Sequence, residues 1–565
     1  MKAACALLIL PIVTAVPGIA LAHSPSAACA ALTGRTLAWS GDTARIVSTH
    51  YLTADAAGPG LPAHCELFGI MHERKGRFDQ AYAIRFHMRL PDAWNARMVF
   101  QGGGGSDGDI GDALGHVSSS GPVALKLGYA VVSQDAGHDN SVNNDPAHNG
   151  TLAFGFDPEA RADYGHTSLK ASADAAKAVI RTVYGRRPRF SYFVGCSKGG
   201  QEGMTFAQYY PDAFDGIIAT APGFSLPRAA VAEAWDVQAF ASLAGDKAGI
   251  ADLAKTFSPG DLELVRSAIL EACDSDDGLK DGMVGDFLHC GDDKVVPRLQ
   301  ARVCDGAKIG TCLTAAQVAV LRRVVGGART SDGRAIYSGW FWPSAINTAD
   351  WRMWKIGSAD GQVPPLNVVL GGPALASVFM TPPTVLGDGP SILSFQRRFD
   401  FDRDAGRIYA IATPFTRSAW ADIASRSTDL AAFRARGGRL IVPQGESDPV
   451  FSLKDTLGWF DEVNARNGGR ARDFVRVFPV PGMCHCGGGE ATDRYDMFAA
   501  LVAWVEKHQA PDAIVAEAGP ATPWPGRTRP LCAYPEIARY TAGDPERASS
   551  FRCAAASLPA HSPQS

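Results

Sequence analysis

Residues 193–200 read FVGCSKGG and contain the Gly-x-Ser-x-Gly pattern of a nucleophile elbow, with Ser197 at its centre. Such a serine lies on a sharp turn between a strand and a helix, where its hydroxyl can attack an acyl carbonyl. The flanking segments FSYFV and KGGQEGMTFAQYY predict that strand and that helix. An ordinary turn serine is the alternative, because the bare pattern is common by chance.

An acid and a histidine follow Ser197 in the chain order that a nucleophile elbow requires. Asp448 comes just after the apolar run 439–445, and His485 comes after the apolar run 474–480. Both runs predict strands of a parallel sheet. In this interpretation His485 takes the proton of Ser197, and Asp448 holds the imidazole in the correct tautomer.

Three other residues could take the supporting roles in catalysis. Glu446 lies two residues before Asp448 and is an alternative acid. His138 and His166 are alternative histidines, but both precede Ser197 in the chain. That position is more typical of structural histidines than of a base in this chain order.

Backbone N–H groups for an oxyanion hole are predicted at two places. One is the residue after the nucleophile, Lys198, through its main chain. The other is the glycine run 102–105 after the predicted strand 98–101, with Gly103 and Gly104 as candidates. The run is not followed by Gly-Lys-Ser/Thr, which argues against a phosphate-binding loop.

A cysteine adjoins both the predicted nucleophile and the predicted base. Cys196 precedes Ser197, and Cys486 follows His485. Because the serine and the histidine must lie within hydrogen-bond distance, their neighbours would be close enough for a disulfide. Cys196 is therefore interpreted as a structural crosslink rather than as a second nucleophile.

The amino terminus resembles a secretory signal, with Lys2, an apolar stretch and Ala20-Leu21-Ala22 as the cleavage site, so residues 1–22 are predicted to be removed. A membrane anchor is the alternative, and no later segment is long and apolar enough to span a bilayer. Of 12 cysteines, Cys5 leaves with the signal. The remaining odd number predicts disulfides in a secreted or periplasmic protein, with one thiol left over.

The 565 residues carry a net charge of -4, and no basic run is interleaved with aromatics, so nucleic acid is not an expected partner. Alternation of short apolar runs with helical stretches such as 168–185 predicts an α/β fold. The alternation of strand-like and helix-like segments stops in a Trp-rich segment and then resumes. We predict a core in two parts, 23–224 and 421–565, with an inserted lid domain at 225–420 and a tail after residue 515 that wraps the surface.

With these residues assembled, the chain resembles the tannase/feruloyl esterase family of α/β-hydrolases. Cys196-Ser197, Asp448 and His485-Cys486 match the family's disulfide-linked triad residue by residue. The segments GGGGSDG, SQDAGHD, FVGCSKGGQEG, FDGIIATAPG, VPGMCHCGGG and RTRPLCAYP also resemble family segments. The resemblance implies a serine esterase with an α/β-hydrolase core and an inserted, calcium-binding lid domain.

The resemblance also implies the ligands of a structural calcium ion within residues 273–290, CDSDDGLKDGMVGDFLHC. The expected oxygens come from the carboxylates of Asp274, Asp277 and Asp281 and from the carbonyls of Leu279 and Met283, since calcium takes six to eight oxygen ligands. Asp276 is an alternative ligand, and a solvated acidic turn without a metal is the alternative interpretation.

Four further disulfides are implied by the resemblance: Cys29–Cys65, Cys273–Cys290, Cys304–Cys312 and Cys532–Cys553. Cys484 is left over. It lies one residue before His485 and could compete with Cys486 for Cys196.

The expected substrate is a small ester of an aromatic acid, such as a gallate or a hydroxycinnamate like ferulate or chlorogenate, cleaved through an acyl-enzyme. Aromatics at 338–354 and the segment 377–379 could line the acyl pocket or form the core of the lid. Mono(2-hydroxyethyl) terephthalate is the alternative substrate, although segment 366–394 contains no Arg or Lys to bind its carboxylate. The same pattern could instead belong to a peptidase, to a polyester depolymerase or to a non-catalytic, calcium-stabilised binding protein. The sequence makes no prediction of oligomeric state.

Overall fold

The computed structural model describes residues 24–556, so the predicted signal peptide of residues 1–22 lies outside the described residues. Across this described range, no helix has the length and apolarity needed to cross a membrane. Helices and strands alternate around one large sheet, which agrees with the predicted α/β class.

The described strands are β1 Thr36–Trp39, β2 Asp42–Leu52, β3 His64–Lys75, β4 Ala81–Pro91, β5 Arg97–Gln101, β6 Ala130–Gln134, β7 Phe190–Cys196, β8 Gly216–Thr220, β9 Arg439–Gly445, β10 Val475–Val480, β11 Ala513–Glu517, β12 Thr528–Cys532, β13 Glu536–Tyr540 and β14 Phe551–Ala555. The α-helices are α1 Pro25–Ala30, α2 Pro158–Ala162, α3 Ser168–Tyr184, α4 Lys198–Tyr209, α5 Leu226–Ala244, α6 Pro259–Cys273, α7 Asp292–Gln300, α8 Ala315–Gly326, α9 Ala349–Lys355, α10 Gly372–Ser377, α11 Gly389–Arg397, α12 Ala419–Ile423, α13 Ala431–Ala435, α14 Leu453–Arg466 and α15 Met497–Lys507.

The first ten strands form one sheet in the order β1-β2-β3-β4-β6-β5-β7-β8-β9-β10. From β6 to β10 the pairs are parallel, with Phe100 opposite Phe193 and Val442 opposite Val477. These strands are mostly apolar and buried, as expected for strands that helices such as α3, α4, α14 and α15 cover. The sequence predicted the helix 168–185 and these strands except β8, which it did not single out.

The other half of the sheet, β1 to β4, is antiparallel, and β4 also pairs antiparallel with β6. The alternation of strands and helices predicted for the first part of the core therefore starts only with β5. The physical reason is visible in β2 and β4, where buried and more exposed residues alternate. That period of two belongs to strands with one covered face, not to a fully buried parallel strand.

The segment between β8 and β9 contains α5 to α13 and, among the described residues, no strand of the main sheet. It corresponds to the predicted insertion at 225–420, although its helices continue to Ala435. The tail after residue 515 contributes two small antiparallel sheets, β11-β12 and β13-β14. It is attached to the main sheet where the Tyr534 N–H donates to the Val477 carbonyl at 2.9 Å.

Parallel strands bring their carboxyl ends to one edge of the sheet, and the predicted catalytic and oxyanion-hole segments follow such ends. Gly103 follows β5, Ser197 follows β7, Asp448 follows β9 and His485 follows β10. The α/β topology thus gathers residues that are far apart in the chain at a single edge.

Candidate active site

Ser197 lies between β7 and α4 with φ of 64° and ψ of -118°. This left-handed conformation is strained for a residue with a side chain and is typical of a nucleophile elbow. The turn is tight because its glycines leave room. A Cβ on Gly199 would lie 2.7 Å from the carbonyl oxygen of Gly103, and one on Gly195 would lie 2.6 Å from the Gly199 backbone.

The structure brings Ser197, His485 and Asp448 together in the geometry of a catalytic triad. Nε2 of His485 lies 2.8 Å from Oγ of Ser197. Nδ1 of the same ring lies 3.1 Å from both carboxylate oxygens of Asp448. The Asp448 side chain is fully buried, and its Oδ1 also accepts the Val450 N–H at 2.8 Å. A base held by a buried carboxylate in this way can take the serine proton.

Glu446, the alternative acid, faces away from the histidine. Its carboxylate accepts hydrogen bonds from the Ser344 hydroxyl at 2.8 Å, the Ser447 hydroxyl at 2.8 Å and the Gly482 N–H at 3.0 Å. Burial raises the pKa of Glu446, and these donors partly oppose that shift. Its contacts are those of a loop-fixing residue.

The alternative histidines are also engaged elsewhere. His138 is buried and stacks on Phe154 with ring centroids 3.9 Å apart, and burial lowers its pKa to about 3. Nδ1 of His166 lies 2.9 Å from the carbonyl oxygen of Asp422. Neither ring is hydrogen-bonded to Ser197 in the described structure.

Cys196 and Cys486 form a disulfide, with their Cα atoms 6.0 Å apart. The bond joins the residue before the nucleophile to the residue after the base. Cys484 does not compete for it. Its thiol is free and buried, its Sγ lies 3.6 Å from the Thr348 hydroxyl, and burial raises its pKa, so the unreactive thiol form dominates.

The four other cysteine pairs implied by the resemblance are disulfides in the structure. They are Cys29–Cys65, Cys273–Cys290, Cys304–Cys312 and Cys532–Cys553.

The two predicted oxyanion-hole segments meet beside Ser197, but Gly103 is not free to donate. Its N–H already donates to Oε2 of Glu202 at 3.1 Å. No described residue accepts the N–H of Gly104. The N–H of Lys198 lies in the first turn of α4, where such groups lack helical partners. Gly104 and Lys198 are therefore the two residues whose N–H groups are available for an oxyanion. The prediction for Gly103 is corrected, because Glu202 already accepts its N–H.

A buried charge cluster lies under the oxyanion segments and was not predicted from the sequence. Nζ of Lys198 lies 3.0 Å from Glu202 and 3.7 Å from Asp107, and all three side chains are at most 1% exposed. The ammonium also lies 4.6 Å from the centre of the Tyr164 ring. Burial raises the pKa of Asp107 well above its usual range. The available signal was the Lys–Glu spacing of four residues on α4, which places both side chains on one helix face.

Aromatic side chains border His485. The Trp354 and Phe451 rings pack edge-on against His485, with centroids 5.6 and 5.4 Å from the imidazole. Other aromatics of the stretch 338–354, such as Trp342, are buried in the protein core. In the segment 377–379, Ser377 is fully buried and its hydroxyl accepts from Asn149 at 2.7 Å. The stretch 338–354 therefore supplies both the site and the core.

The segment 273–290 offers oxygen ligands in a loop closed by its own disulfide. Asp274 and Asp277 are about 95% buried, and no described donor binds the carbonyls of Leu279 and Met283. This donor set suits a hard cation such as calcium.

Asp281 and Asp276 of this loop are paired with basic side chains. Asp281 already contacts Arg529 and Arg527, and within residues 24–556 no three His, Cys, Asp or Glu side chains form a ready metal cluster. Asp276 is paired with Lys294 at 2.7 Å and is the weaker candidate.

Comparison with known families places this geometry in context. Residues 65–554 match the family model described as tannase and feruloyl esterase. A mono(2-hydroxyethyl) terephthalate hydrolase of Piscinibacter sakaiensis is 40% identical over 526 residues, covering 89% of this chain and 86% of the relative. A probable feruloyl esterase of Arthroderma benhamiae is 31% identical over 480 residues, covering 82% of this chain and 81% of the relative.

Solved structures share the fold. Feruloyl esterase B from Aspergillus oryzae superposes with a TM-score of 0.71 at 22% identity, covering 94% of this chain and all of that chain. A tannin acyl hydrolase from Aspergillus niger gives a TM-score of 0.66 at 19% identity, covering 90% and 91% of the two chains.

Proposed function

Because this chain belongs to the tannase and feruloyl esterase family and is a carboxylic ester hydrolase, we propose that it cleaves esters of aromatic carboxylic acids through an acyl-enzyme on Ser197. The observation that carries the proposal is the hydrogen-bonded chain from Ser197 through His485 to Asp448. The terephthalate monoester hydrolase and the feruloyl esterase to which the chain is similar are both named for esters of aromatic acids.

In the proposed mechanism, Oγ of Ser197 attacks the ester carbonyl carbon while Nε2 of His485 takes the hydroxyl proton. The N–H groups of Lys198 and Gly104 stabilise the negative oxygen of the tetrahedral intermediate. As the intermediate collapses, His485 gives the proton to the departing alcohol. Water then attacks the acyl-enzyme with His485 as base, and the acid leaves while the proton returns to Ser197.

Gallate and hydroxycinnamate esters are the proposed substrates. Mono(2-hydroxyethyl) terephthalate is the second candidate, favoured by the 40% identical relative. Residues 366–394 lack an Arg or Lys that could bind the terephthalate carboxylate from that segment. The test is kcat/KM for methyl gallate, methyl ferulate and the terephthalate monoester, with Ser197→Ala as the blank. Equal rates for parent and Ser197→Ala on all three esters would overturn the proposal and favour a non-catalytic binding protein.

The insertion between β8 and β9 is proposed to act as a lid on an α/β-hydrolase core, because it carries Trp354 to the catalytic histidine. A calcium ion is proposed to stabilise the loop 273–290, held by Asp274, Asp277, Asp281 and the carbonyls of Leu279 and Met283. The ion would order the loop and takes no part in ester cleavage.

Export to the periplasm or the medium is proposed from the signal-like residues 1–22 and from the five disulfides, which persist in oxidising compartments.

A further inference from the structure

Glu233 is a buried carboxyl group that the proposed mechanism does not use. It lies on α5, its residue is 8% exposed, and within the described chain it has no hydrogen bond or ion pair. Burying a polar group without a partner costs free energy, so most native structures avoid it. A carboxyl group in this state is available to a ligand group.

The helix α5 leads from the nucleophile to Glu233. The N–H of Gly223, just before the helix, donates to the Ser197 carbonyl at 3.1 Å. Leu226, Ala230 and Glu233 then lie on one face at helical spacing. With a rise of 1.5 Å per residue, Glu233 lies about 10 Å beyond Leu226 along the axis.

A second element, α9, connects the catalytic centre to the same place. Trp354 packs against His485, and the next residue, Lys355, is buried and paired with Asp236, one turn after Glu233 on α5. Lys355 also lies 4.4 Å from the centre of the Trp340 ring. The buried indole N–H of Trp340 has no hydrogen-bond partner among the described residues.

Charge at this place is balanced without Glu233. Asp236 takes the ammonium of Lys355, so this cation is already paired. Burial raises the pKa of Glu233 to about 8, with Lys355 opposing the shift and Asp236 adding to it. A neutral carboxyl can donate one hydrogen bond and accept others.

Close packing leaves Glu233 little freedom to find another partner. Its Oε2 rests against Gly371, where an added Cβ would lie only 1.8 Å from that oxygen. The same lid segment holds Asn367, whose side-chain amide is fully buried and also lacks a partner among the described residues. Several hydrogen-bonding groups are therefore unsatisfied in this part of the lid.

We propose that Glu233 binds a phenolic hydroxyl on the acyl ring of the substrate, at the end of the acyl pocket farthest from Ser197. This inference rests on the proposed aromatic esterase function and names the residue that recognises the ring hydroxyl of the gallate and hydroxycinnamate esters proposed above. Ala229 and Ala230 present only methyl groups on α5, and Trp340 and Trp354 supply aromatic surface.

The test compares matched ester pairs that differ by one hydroxyl: methyl 4-hydroxycinnamate against methyl cinnamate, and methyl 4-hydroxybenzoate against methyl benzoate. For the parent we expect kcat/KM to be about 10–100-fold higher for the hydroxylated member of at least one pair, because an ester without the hydroxyl leaves the buried Glu233 carboxyl unpaired. Glu233→Leu should abolish that ratio while retaining turnover of the unsubstituted ester. Glu233→Gln, which keeps shape and hydrogen bonding, should retain part of it.

Glu506→Gln is the control, because Glu506 pairs with Arg97 on the core rather than in the lid. The ratio of kcat/KM between hydroxylated and unsubstituted esters should be the same in this variant as in the parent. If Glu233→Leu does not fold, the isosteric Gln variant and the inhibition constants of 4-hydroxycinnamate and cinnamate on the parent decide the question. Parent turnover without hydroxyl preference, or a preference unchanged in the Glu233 variants, overturns this inference alone. No turnover of any of these esters, or of methyl gallate and methyl ferulate, by the parent overturns the proposed function as well.

Discussion

Cys196 and Cys486 are 290 positions apart in the chain, yet a disulfide joins them directly beside Ser197 and His485. The crosslink ties the nucleophile turn after β7 to the histidine loop after β10. Two strands, β8 and β9, separate those segments within the sheet. The bond therefore fixes the relative position of Ser197 and His485, which would otherwise depend on loop packing.

Removal of this crosslink should affect both stability and catalysis. We expect Cys196→Ser/Cys486→Ser to lower the free energy of unfolding by about 2–5 kcal/mol, since the bond closes a long loop of the unfolded chain. The kcat should fall as well, because the serine and histidine lose their shared anchor. Chemical denaturation and ester kinetics measure the two effects. Cys304→Ser/Cys312→Ser, with a separation of 8, is the control and should keep kcat unchanged; an equal kcat loss there would contradict the anchoring role.

Mutation should distinguish the roles of the two acidic residues that follow β9, Asp448 and Glu446. Asp448→Asn is expected to lower kcat by about 10⁴-fold with little change in melting temperature, because the imidazole tautomer is lost. Glu446→Gln should instead lower the melting temperature, because its carboxylate holds Ser344 and Gly482, and should reduce kcat far less. Steady-state kinetics with thermal denaturation distinguish them. A larger kcat loss in the Glu446 variant would reverse the assignment.

Glu202 is expected to position the oxyanion segments. It accepts the Gly103 N–H and pairs with Lys198, so Glu202→Gln leaves a buried ammonium with a weaker partner. We expect kcat to fall by about 10–100-fold with KM nearly constant, as donors aimed at the transition state shift. Affinity for a boronic acid transition-state analogue should fall in parallel. Glu506→Gln, a carboxylate paired with Arg97, is the matched control; a pure KM effect in Glu202→Gln would argue against a positioning role.

The buried carboxyl of Glu233 should make stability depend on pH. Its folded pKa of about 8 lies above the ordinary 4.5, so the unfolded chain releases this proton first and stability falls as pH rises from about 4.5 to 8. Glu233→Gln cannot ionise, so its melting temperature relative to the parent should increase between pH 4 and pH 8.5. Lys355 and Asp236 face the group and remain in both proteins.

Glu506→Gln provides a control of opposite sign for that measurement. Arg97 lowers the pKa of Glu506. This carboxylate therefore stabilises the fold at a pH above the ordinary pKa of a glutamate, and the stabilisation is lost on acidification. The variant should therefore lose melting temperature relative to the parent as pH rises from 4. A pH-independent difference for Glu233→Gln would show that Glu233 does not carry a raised pKa.

Calcium should stabilise the protein without supporting turnover directly. Because a ligand that binds only the folded state adds about 2.7 kcal/mol at 100 times its Kd, chelation by EGTA should lower the melting temperature and added calcium should restore it. Asp277→Asn should abolish that response, whereas Asp276→Asn, whose carboxylate pairs with Lys294, should keep it. An unchanged melting temperature in EGTA and in calcium would remove the metal from the proposal.

Much of the fold and the site could be predicted because local patterns carry them. The apolar runs of β5, β6, β7, β9 and β10 are read directly as buried strands, and the order of Ser197, Asp448 and His485 follows from the elbow. The antiparallel strands β1 to β4 were not separated out, because their half-buried alternation is weaker than a continuous apolar run. Helices of the insertion could be recognised only as a break in rhythm.

By itself, the sequence determined the candidate reacting groups, their order, and the cysteines that flank them, since these depend on residue type and short spacing. Tertiary structure decided which neighbouring group is used. Only packing shows that Glu446 faces Ser344, that the Gly103 N–H is taken by Glu202, and that Cys484 is buried away from the disulfide. It also decided that Glu233 lies buried without a partner among the described residues, because that depends on distant segments meeting in space and no local pattern records such meetings.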